Sequence, residues 1–258
     1  MNALLAWLDT LPWLLGLALL AWLLCTARRN VGLIDIFWPL FMLTGALLTA
    51  VTTGASHPRA LLVLALVAGW ALRLSTYLAR RNWSAPEDRR YQAIRARNEP
   101  GYTWKSLYLV FALQALLAWV VTLPLHAALT GTSALTALDL AGVLLCVAGI
   151  GVETLADTQL AAFRADPSRH GQVLEHGLWR YSRHPNYFGE FCVWWGLFLP
   201  ALATGAWWSV ASPLLMSVLL LRVSGVTLLE QDIGTRRPGY AAYVARTNAF
   251  FPGPRRGG

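Results

Sequence analysis

The chain carries little charge of either sign and almost no lysine. Only 13% of its 258 residues are charged and 56% are apolar, whereas soluble domains have about 25% charged and about 45–50% apolar residues. This balance excludes an ordinary water-soluble domain. Lys105 is the only lysine, so arginine supplies nearly all of the basic charge behind the formal net charge of +8. The basic residues lie in short segments between apolar runs, which argues against a nucleic-acid partner and favours a membrane.

Several motif classes are also absent. The sequence contains no GxGxxG after a predicted strand and no P-loop, so no soluble nucleotide-binding fold is attached. The five histidines form no HxxxH or HExxH pair, which argues against the two-metal membrane desaturases and hydroxylases and predicts no metal site. Cys25, Cys146 and Cys192 lie in separate apolar runs without CxxC spacing. We expect three buried thiols and no disulfide framework.

Long apolar runs are what the sequence has instead. A membrane-spanning helix needs roughly 20 mostly apolar residues. The runs predict an all-α integral membrane protein with a bundle of about seven transmembrane helices, six or eight being the alternatives. They lie near residues 12–26, 31–52, 59–78, 104–129, 134–163, 186–202 and 207–226.

The basic residues fall in alternate loops. Loops one, three and five and the C-terminal tail carry most of them, and the other loops carry Arg59 and little else. With seven spans, the positive-inside rule predicts an outside N-terminus and a cytoplasmic C-terminus, in the inner membrane of a bacterium. The first run lacks a preceding basic region and is followed by Arg28 and Arg29, so we interpret it as an anchor and not as a cleaved signal peptide. We expect one transmembrane domain over residues 1–258, since no polar linker divides it.

Ionisable residues inside the fifth run form a first candidate site. Such residues cost at least about 2.5–3.5 kcal/mol each in a membrane, so they are functional candidates. Glu153, Asp157 and Arg164 fall on one helical stripe. The stripe is either a ladder of internal salt bridges or the polar wall of a cofactor cavity, with Arg164 at its mouth to hold a phosphate.

The segment 177–196, GLWRYSRHPNYFGEFCVWWG, is a second candidate. Pro185 favours a helix start, and Asn186, Glu190 and Trp194 recur every four residues on one face of that helix. A carboxylate and a carboxamide on one face suit an amide or a ribose. Cationic side chains beside the positive end of a helix favour an anion. These cationic residues are Arg180, Arg183 and His184.

A belt of interfacial residues is the alternative interpretation of this segment. It explains Trp179 and Tyr181, because aromatic side chains collect at membrane interfaces. It does not explain Asn186 and Glu190, whose burial then has no compensating role.

Other polar residues lie near the inner ends of the runs. Asp35, one turn before Pro39, either pairs with an arginine such as Arg73 or serves the chemistry directly, and Tyr77 adds a phenol to the same layer. The tail predicts an amphipathic segment that is either an interfacial anchor or a lid folded back on the bundle. In and after the last run lie Arg222 and Glu230, and the tail contains Tyr240, Tyr243, Arg246 and Phe250.

Together these residues resemble the DUF1295 membrane proteins, a family related to the C-terminal domain of steroid 5-alpha-reductases. The resemblance extends from about Asp35 to Pro252. Its most specific part is RYSRHPNYFGE with the following WWG, supported by RNWSAPEDRRY, ETLADTQ and YAAYVARTNAFFP. It implies a seven-helix bundle that takes NADPH from the cytoplasmic side and reduces the conjugated C=C of an apolar, steroid-like or other lipid enone from within the membrane.

The resemblance also implies site residues. The reductases' NADPH motif, Asn-Phe-Leu-Gly-Glu, corresponds to residues 186–190, and most of the cofactor site then lies in residues 134–252. Ungapped counting places further family residues on Asp157, Arg164, Tyr77 and Arg222. With their neighbours, the predicted cofactor-binding set is Tyr77, Asp157, Arg164, Tyr181, Arg183, His184, Asn186, Glu190, Arg222 and Glu230.

Two positions depart from the steroid reductases. Their ketone-holding Glu and Tyr correspond to Phe37 and Trp70, so the steroid ketone site is not carried over. Asp35, two residues before Phe37, is the candidate catalytic acid, which would stabilise the developing enolate oxygen.

Two other functions stay open. Isoprenylcysteine carboxyl methyltransferases are similar in the same region and bind S-adenosylmethionine. This chain keeps their Arg-His-Pro-x-Tyr-x-Gly pattern from Arg183 to Gly189 and a downstream Glu230. Asn186, Glu190 and the stripe from Asp157 favour the reductase. The third interpretation is a structural or lipid-binding membrane protein.

Overall fold

A computed structural model describes residues 3–223 and 237–256, and all regular secondary structure in these ranges is helical. This confirms the all-α class. Five stretches are long and apolar enough to cross a membrane, so the chain is an integral multi-pass membrane protein. They are Ala3–Ala27, Val31–Thr53, Pro58–Asn82, Tyr102–Val121 and Ala137–Ala165.

The sixth and seventh predicted runs are also helical. The sixth forms the helix Pro185–Ala203, and the seventh forms the shorter apolar stretch Trp207–Val223. The count of seven crossings therefore stays a prediction.

The helices are numbered here in chain order. Val31–Ile36 is a 3₁₀ turn before α3, and a π-helical stretch, Leu107–Ala112, joins α6 to α7. The helices are α1 Ala3–Leu8, α2 Leu11–Ala27, α3 Trp38–Thr53, α4 Pro58–Asn82, α5 Arg89–Asn98, α6 Tyr102–Ser106, α7 Leu113–Val121, α8 Leu123–Thr130, α9 Ala137–Ala165, α10 Pro185–Ala203, α11 Ala211–Val218 and α12 Tyr240–Arg246.

Prolines mark where many of these helices begin. Proline is tolerated in the first turn because the amide it lacks would have no intrahelical partner there. The predicted start of α10 at Pro185 is confirmed. The other helices with a proline in the first turn begin near Pro12, Pro39, Pro58 and Pro124.

The chain divides into two compact units. Unit 1 comprises Met1–Asp139 and Leu197–Ser212, and unit 2 comprises Leu140–Gly196 and Pro213–Gly258. Each unit has its own packing. The expectation of one transmembrane domain stays a prediction.

A buried ion pair holds part of unit 1 together. Arg59 and Asp139 are each 1% exposed. The Arg59 Nε donates to Asp139 Oδ1 at 2.6 Å and its Nη2 donates to Oδ2 at 2.9 Å. The remaining guanidinium hydrogens go to the carbonyls of Ser133 and Ala134. The pair ties the loop before α9 to the start of α4 with its charges neutralised and hydrogen-bonded, as burial requires.

A tryptophan pair joins α1 to α7 in the same unit. The rings of Trp7 and Trp119 stack at 3.7 Å with an interplanar angle of 6°. The Trp7 Nε1 donates to the Trp119 carbonyl at 2.7 Å, and the Trp119 Nε1 donates to the Trp7 carbonyl at 2.9 Å. Both indole N–H groups are thus satisfied while the rings bury apolar surface.

Unit 2 is organised by close contact between α9 and α10. A Cβ added to Gly189 would lie 2.6 Å from the Glu153 amide nitrogen, and one added to Gly149 would lie 2.6 Å from the Gly189 carbonyl oxygen. About two turns further along α10, a Cβ on Gly196 would lie 2.7 Å from the Cys146 amide nitrogen of α9. The two helices therefore run antiparallel with their backbones in contact, as small residues permit between membrane helices.

The three cysteines are free thiols. Cys25 and Cys146 are buried, as predicted, whereas Cys192 is half-buried. Cys146 and Cys192 both line the contact between α9 and α10. Their small side chains help the two backbones approach.

Candidate functional site

The centre of the candidate site is a pair of polar side chains on α9 and α10. The Asn186 Nδ2 donates to the Asp157 Oδ1 at 3.3 Å. The two residues are 29 positions apart in the sequence, and both belong to the predicted cofactor-binding set. Contact at Gly149 and Gly189 explains why they meet, because it fixes the antiparallel register of the two helices.

Asp157 is one of three buried carboxylates on these two helices. Glu153 is 2% exposed, Asp157 is 3% exposed and Glu190 is 7% exposed. Gly189, the neighbour of Glu190, packs against Glu153. The inward direction predicted for the start of the stripe is confirmed. Arg164, which ends the stripe, is exposed near the end of α9.

The loop that precedes α10 packs on α9. The Gln159 Oε1 accepts from the Leu178 amide at 2.9 Å, and the Trp179 Nε1 donates to the Ala156 carbonyl at 3.1 Å. Gly177, with a φ of 61°, makes the close turn beside Gln159 that a residue with a side chain would obstruct.

The C-terminal segment folds back onto this loop. We call residues 240–256 the strap. The hydroxyl of Ser182 donates to the Phe250 carbonyl at 2.7 Å, and the Gly253 amide donates to the Tyr181 carbonyl at 3.1 Å. The Tyr243 hydroxyl donates to the Trp179 carbonyl at 2.5 Å. These bonds show that the tail folds back onto this loop within unit 2, whereas the interpretations as an interfacial anchor and as a lid both stay predictions.

Two arginines of the strap bond to one carboxylate outside it, that of Glu175. The Glu175 Oε2 accepts from Arg246 Nη2 at 2.7 Å and from Arg255 Nη2 at 3.2 Å. All three side chains are partly exposed, so the pairs are screened by solvent and each contributes modestly.

The cationic residues before α10 have individual surroundings. Arg183 Nη1 donates to the Thr247 carbonyl at 2.6 Å, so this guanidinium caps the last turn of α12. His184 is 5% exposed, and its ring stacks on that of Tyr187 at 5.7 Å. The side chain of Tyr181 is exposed. Arg183 thus has a structural partner in addition to any ligand.

A cavity of about 500 Å³ lies within unit 2 near the end of α9. Arg169 lies over the Phe163 ring at 5.6 Å and pairs with Asp166 at 2.9 Å. The cavity combines a cation, an aromatic ring, neutral polar groups and the carboxylate of Glu175. Its lining is Phe163, Ser168, Arg169, Gln172, Val173, Glu175 and His176.

Asp35, the candidate acid, lies in unit 1 and has two defined partners. Its Oδ2 accepts from Arg90 Nη2 at 2.8 Å, and its Oδ1 accepts from the Tyr91 hydroxyl at 2.5 Å. Gln114 Nε2 donates to the same hydroxyl at 3.1 Å. The predicted pairing with an arginine is therefore found, with Arg90 as a partner.

Two tyrosine side chains outside the spanning helices titrate at unusually high pH. Burial, and next the adjacent Asp35 carboxylate, raise the pKa of Tyr91 well above its ordinary value. Burial is also the main cause that raises the pKa of Tyr243 in the strap. Both phenols therefore stay neutral at physiological pH.

The remaining predicted residues are more peripheral. Tyr77 is half-buried in unit 1, with the Arg81 guanidinium 5.7 Å from its ring. Arg222 is exposed at the end of the helical segment that follows α11. Glu230 lies outside the described residues. Within residues 3–223 and 237–256, no group of three or more His, Cys, Asp or Glu side chains is arranged to hold a metal ion.

Two features of the site escaped prediction. The seven-residue spacing of Gly142 and Gly149, and of Gly189 and Gly196, is a visible sequence signal for a close helix pair. The role of Tyr91 as a partner of Asp35 has no such signal, because the contact joins separate segments of the chain.

Fold and site together define an all-helical, multi-pass membrane protein whose helices α9 and α10 carry a buried polar cluster. The model of a protein family, described as Protein of unknown function (DUF1295), matches residues 21–247, and the chain belongs to this family. This confirms the resemblance to that family found in the sequence. No curated protein and no solved structure matches the chain.

Proposed function

We propose that the protein is a membrane-embedded, NADPH-dependent reductase that transfers hydride to the conjugated C=C of an apolar enone from the bilayer. The observation that carries the proposal is the hydrogen bond from Asn186 to Asp157. It joins two residues that the resemblance to steroid 5-alpha-reductases implies for the cofactor, and they come from two different helices.

The polar groups of unit 2 fit an amide and a phosphate. Asn186 offers a donor and an acceptor, and Glu190 offers acceptors, so together they match a carboxamide. Arg164 and Arg169 supply planar donor forks that suit phosphate oxygens. The cavity of about 500 Å³ near the end of α9 is within the size range of ligand pockets, roughly 300–1,000 Å³.

The reduced nicotinamide supplies the hydride when the cofactor is bound. The contribution of the chain is to hold and orient. Asp157 orients the side-chain amide of Asn186 by accepting a hydrogen bond from its Nδ2. The Asn186 oxygen can then accept a hydrogen bond from a ligand. Burial of Glu190 excludes water and strengthens its hydrogen bonds to a ligand amide. Positioning of this kind supplies much of the catalysis in transfers between two bound molecules.

A separate part of the proposal concerns the proton. Asp35 is the candidate acid, and the proton closest to it is that of the Tyr91 hydroxyl. The carboxyl group of Asp35 would stabilise a developing enolate oxygen, and Arg90 and the Tyr91 hydroxyl, which both donate to it, would hold it in position. Asp35→Asn should then lower turnover and leave NADPH affinity unchanged.

The topology is part of the same proposal. A bundle of about seven transmembrane helices, with the N-terminus outside and the C-terminus cytoplasmic, would face the arginine-rich loops toward cellular NADPH. The uneven distribution of arginine between the loops supports this orientation, and a bacterial inner membrane is the proposed location.

The test is equilibrium binding of NADPH, NADH and S-adenosylmethionine to the purified full-length protein in detergent. We expect NADPH to bind, and Glu190→Gln or Asp157→Asn to weaken it about tenfold, since each removes a charged hydrogen-bonding group. Thr158→Ala is the control, because Thr158 is exposed on α9 and its hydroxyl donates only to the Thr154 carbonyl of the same helix.

Tight binding of S-adenosylmethionine without NADPH binding would contradict the reductase proposal and favour a methyltransferase. Binding of none of the three nucleotides would favour a structural or lipid-binding protein. Equal losses in Glu190→Gln and Thr158→Ala would remove Glu190 from the site.

A further inference from the structure

A second cavity lies in unit 1, and none of its lining residues has a role in the proposed reaction. It has a volume of about 300 Å³. It lies between the end of α2 and the start of α6, where two candidate membrane spans meet a basic loop. Its lining is Cys25, Thr26, Arg29, Asn30, Val31, Arg95, Tyr102, Thr103 and Ser106.

The lining is cationic and rich in hydroxyl groups. Arg29 and Arg95 both line the cavity, and no carboxylate does. Arg95 donates Nε and Nη2 to Glu87 at 3.0 and 2.8 Å, which fixes its side chain beside the cavity. Arg29 and Thr103 are exposed, so the cavity is open to the exterior.

Tyr102 supplies a buried polar atom that lacks a partner. The residue is 0% exposed, and its hydroxyl has no hydrogen-bond partner among the residues that the structure describes. Its ring packs under the Arg95 guanidinium at 4.6 Å. Such a buried hydroxyl is costly unless it finds a partner, and a ligand in the cavity would provide one.

The backbone at Arg29 gives an independent reason to expect a ligand. The Asn30 amide donates to the Cys25 carbonyl, so α2 ends in a turn whose left-handed position is usually occupied by glycine. Here that position is Arg29, with a φ of 53°. A local rule broken in this way is typical of functional positions, because the strained residue is kept for its side chain.

We propose that this cavity binds a phosphate-bearing anion. Two arginines and several hydroxyl groups match phosphate oxygens. The anion is either the head group of an acidic phospholipid, since the cavity lies at the ends of two candidate spans, or a soluble phosphate ester. Trp104, 69% exposed beside Thr103, is the type of side chain that lies at the level of lipid head groups.

The experiment titrates delipidated, full-length protein in neutral detergent with two kinds of probe. One is phosphatidylglycerol in mixed micelles, compared with phosphatidylcholine, and the other is glycerol phosphate in solution. Native mass spectrometry counts bound lipid and calorimetry measures the soluble probe. We expect Arg29→Gln and Tyr102→Phe to weaken binding about tenfold, since each removes a hydrogen bond to a charged group.

Arg97→Gln is the matched control, because Arg97 is exposed on α5 and does not line the cavity. Selective binding of phosphatidylglycerol, lost in Arg29→Gln and kept in Arg97→Gln, supports the proposal with a lipid as the source. The same variant pattern with glycerol phosphate supports it with a soluble ester. Binding of neither probe, or equal losses in Arg29→Gln and Arg97→Gln, would overturn it.

Tyr102→Phe separates binding from folding. It removes only a hydroxyl that has no partner, so the ligand-free variant should unfold at the same temperature as the wild type or above it. A lower unfolding temperature would show that the hydroxyl is structural and would overturn its assignment to the ligand.

Discussion

The two units distribute their carboxylates differently. In unit 1, Asp139 lies against Arg59 and Asp35 lies against Arg90, so the negative charge is met by a named arginine. In unit 2, Glu153, Asp157 and Glu190 gather on two touching helices, and Asn186 is hydrogen-bonded among them. The isolated ion pairs of unit 1 hold separate segments of the chain together, whereas several acidic side chains on two touching helices make a candidate binding site.

The two units also differ in how their helices approach. Unit 1 uses large side chains, such as the stacked rings of Trp7 and Trp119. Unit 2 uses glycine, and the backbones of α9 and α10 touch at Gly149 and Gly189. Close backbone contact fixes the register of two helices more tightly than flexible side chains do, which suits a site that must hold Asn186 and Asp157 in position.

The largest expected effect follows from breaking the ion pair of unit 1. Arg59→Ala leaves the Asp139 carboxylate buried without its main partner and should destabilise the protein by about 3–5 kcal/mol. Chemical unfolding in detergent, followed by circular dichroism, measures the loss. Arg89→Ala is the control, since Arg89 is exposed and its loss should change stability by less than about 0.5 kcal/mol.

The ion-pair prediction has a second arm. Arg59→Met combined with Asp139→Leu removes both charges and should recover most of the stability, because an apolar pair of similar size is often neutral or better. Equal stabilities of Arg59→Ala and Arg89→Ala would show that the pair contributes nothing to unit 1.

A smaller effect follows from disturbing the glycine contact of unit 2. Gly189→Ala places a methyl group within 3 Å of backbone atoms of α9, and backbone cannot rotate away as a side chain can. We expect a loss of about 1–3 kcal/mol. Gly151→Ala on the opposite side of α9, where the added methyl meets nothing within 4 Å, should raise stability by up to about 1 kcal/mol. Thermal unfolding should show a lower unfolding temperature for Gly189→Ala and a higher one for Gly151→Ala than for the wild type. Changes in the same direction would contradict the close helix contact.

The smallest effect is a dependence on alkaline pH that both units share. The raised pKa values of Tyr91 and Tyr243 mean that the unfolded chain ionises first. Their contribution is therefore complete below the unfolded pKa of about 10, and above it stability should fall by up to about 1.4 kcal/mol per pH unit for each residue. Stability measured from neutral pH to about pH 11 should fall less steeply in Tyr91→Phe and in Tyr243→Phe. An unchanged slope in either variant would mean that its phenol is not desolvated.

The sequence predicts much of the helical architecture, because apolar runs and helix-starting prolines are local signals. The start of α10 at Pro185 and the buried face with Glu190 follow from spacing alone. The family resemblance assigns Asp157 and Asn186 to one cofactor site. The structure adds the hydrogen bond between their side chains.

Contacts between distant segments could not be predicted in this way. Arg59 and Asp139 are 80 residues apart, and each alone is consistent with a solvated loop. Asp35 and Tyr91 are 56 residues apart, and several arginines were possible partners of that carboxylate. Helical periodicity shows which face of a helix is polar, but the partner of that face depends on how the helices pack.

The reciprocal bonds between Trp7 and Trp119 have a consequence for biosynthesis. The two residues are 112 positions apart, and ribosomes add roughly 5–20 residues per second. Trp7 is therefore synthesised roughly 5–20 s before its stacking partner Trp119. During that interval the indole and carbonyl groups of Trp7 are available to an insertion chaperone or to a neighbouring chain. In Trp119→Ala the indole partner of Trp7 is never made, so the Trp7 ring stays available after synthesis.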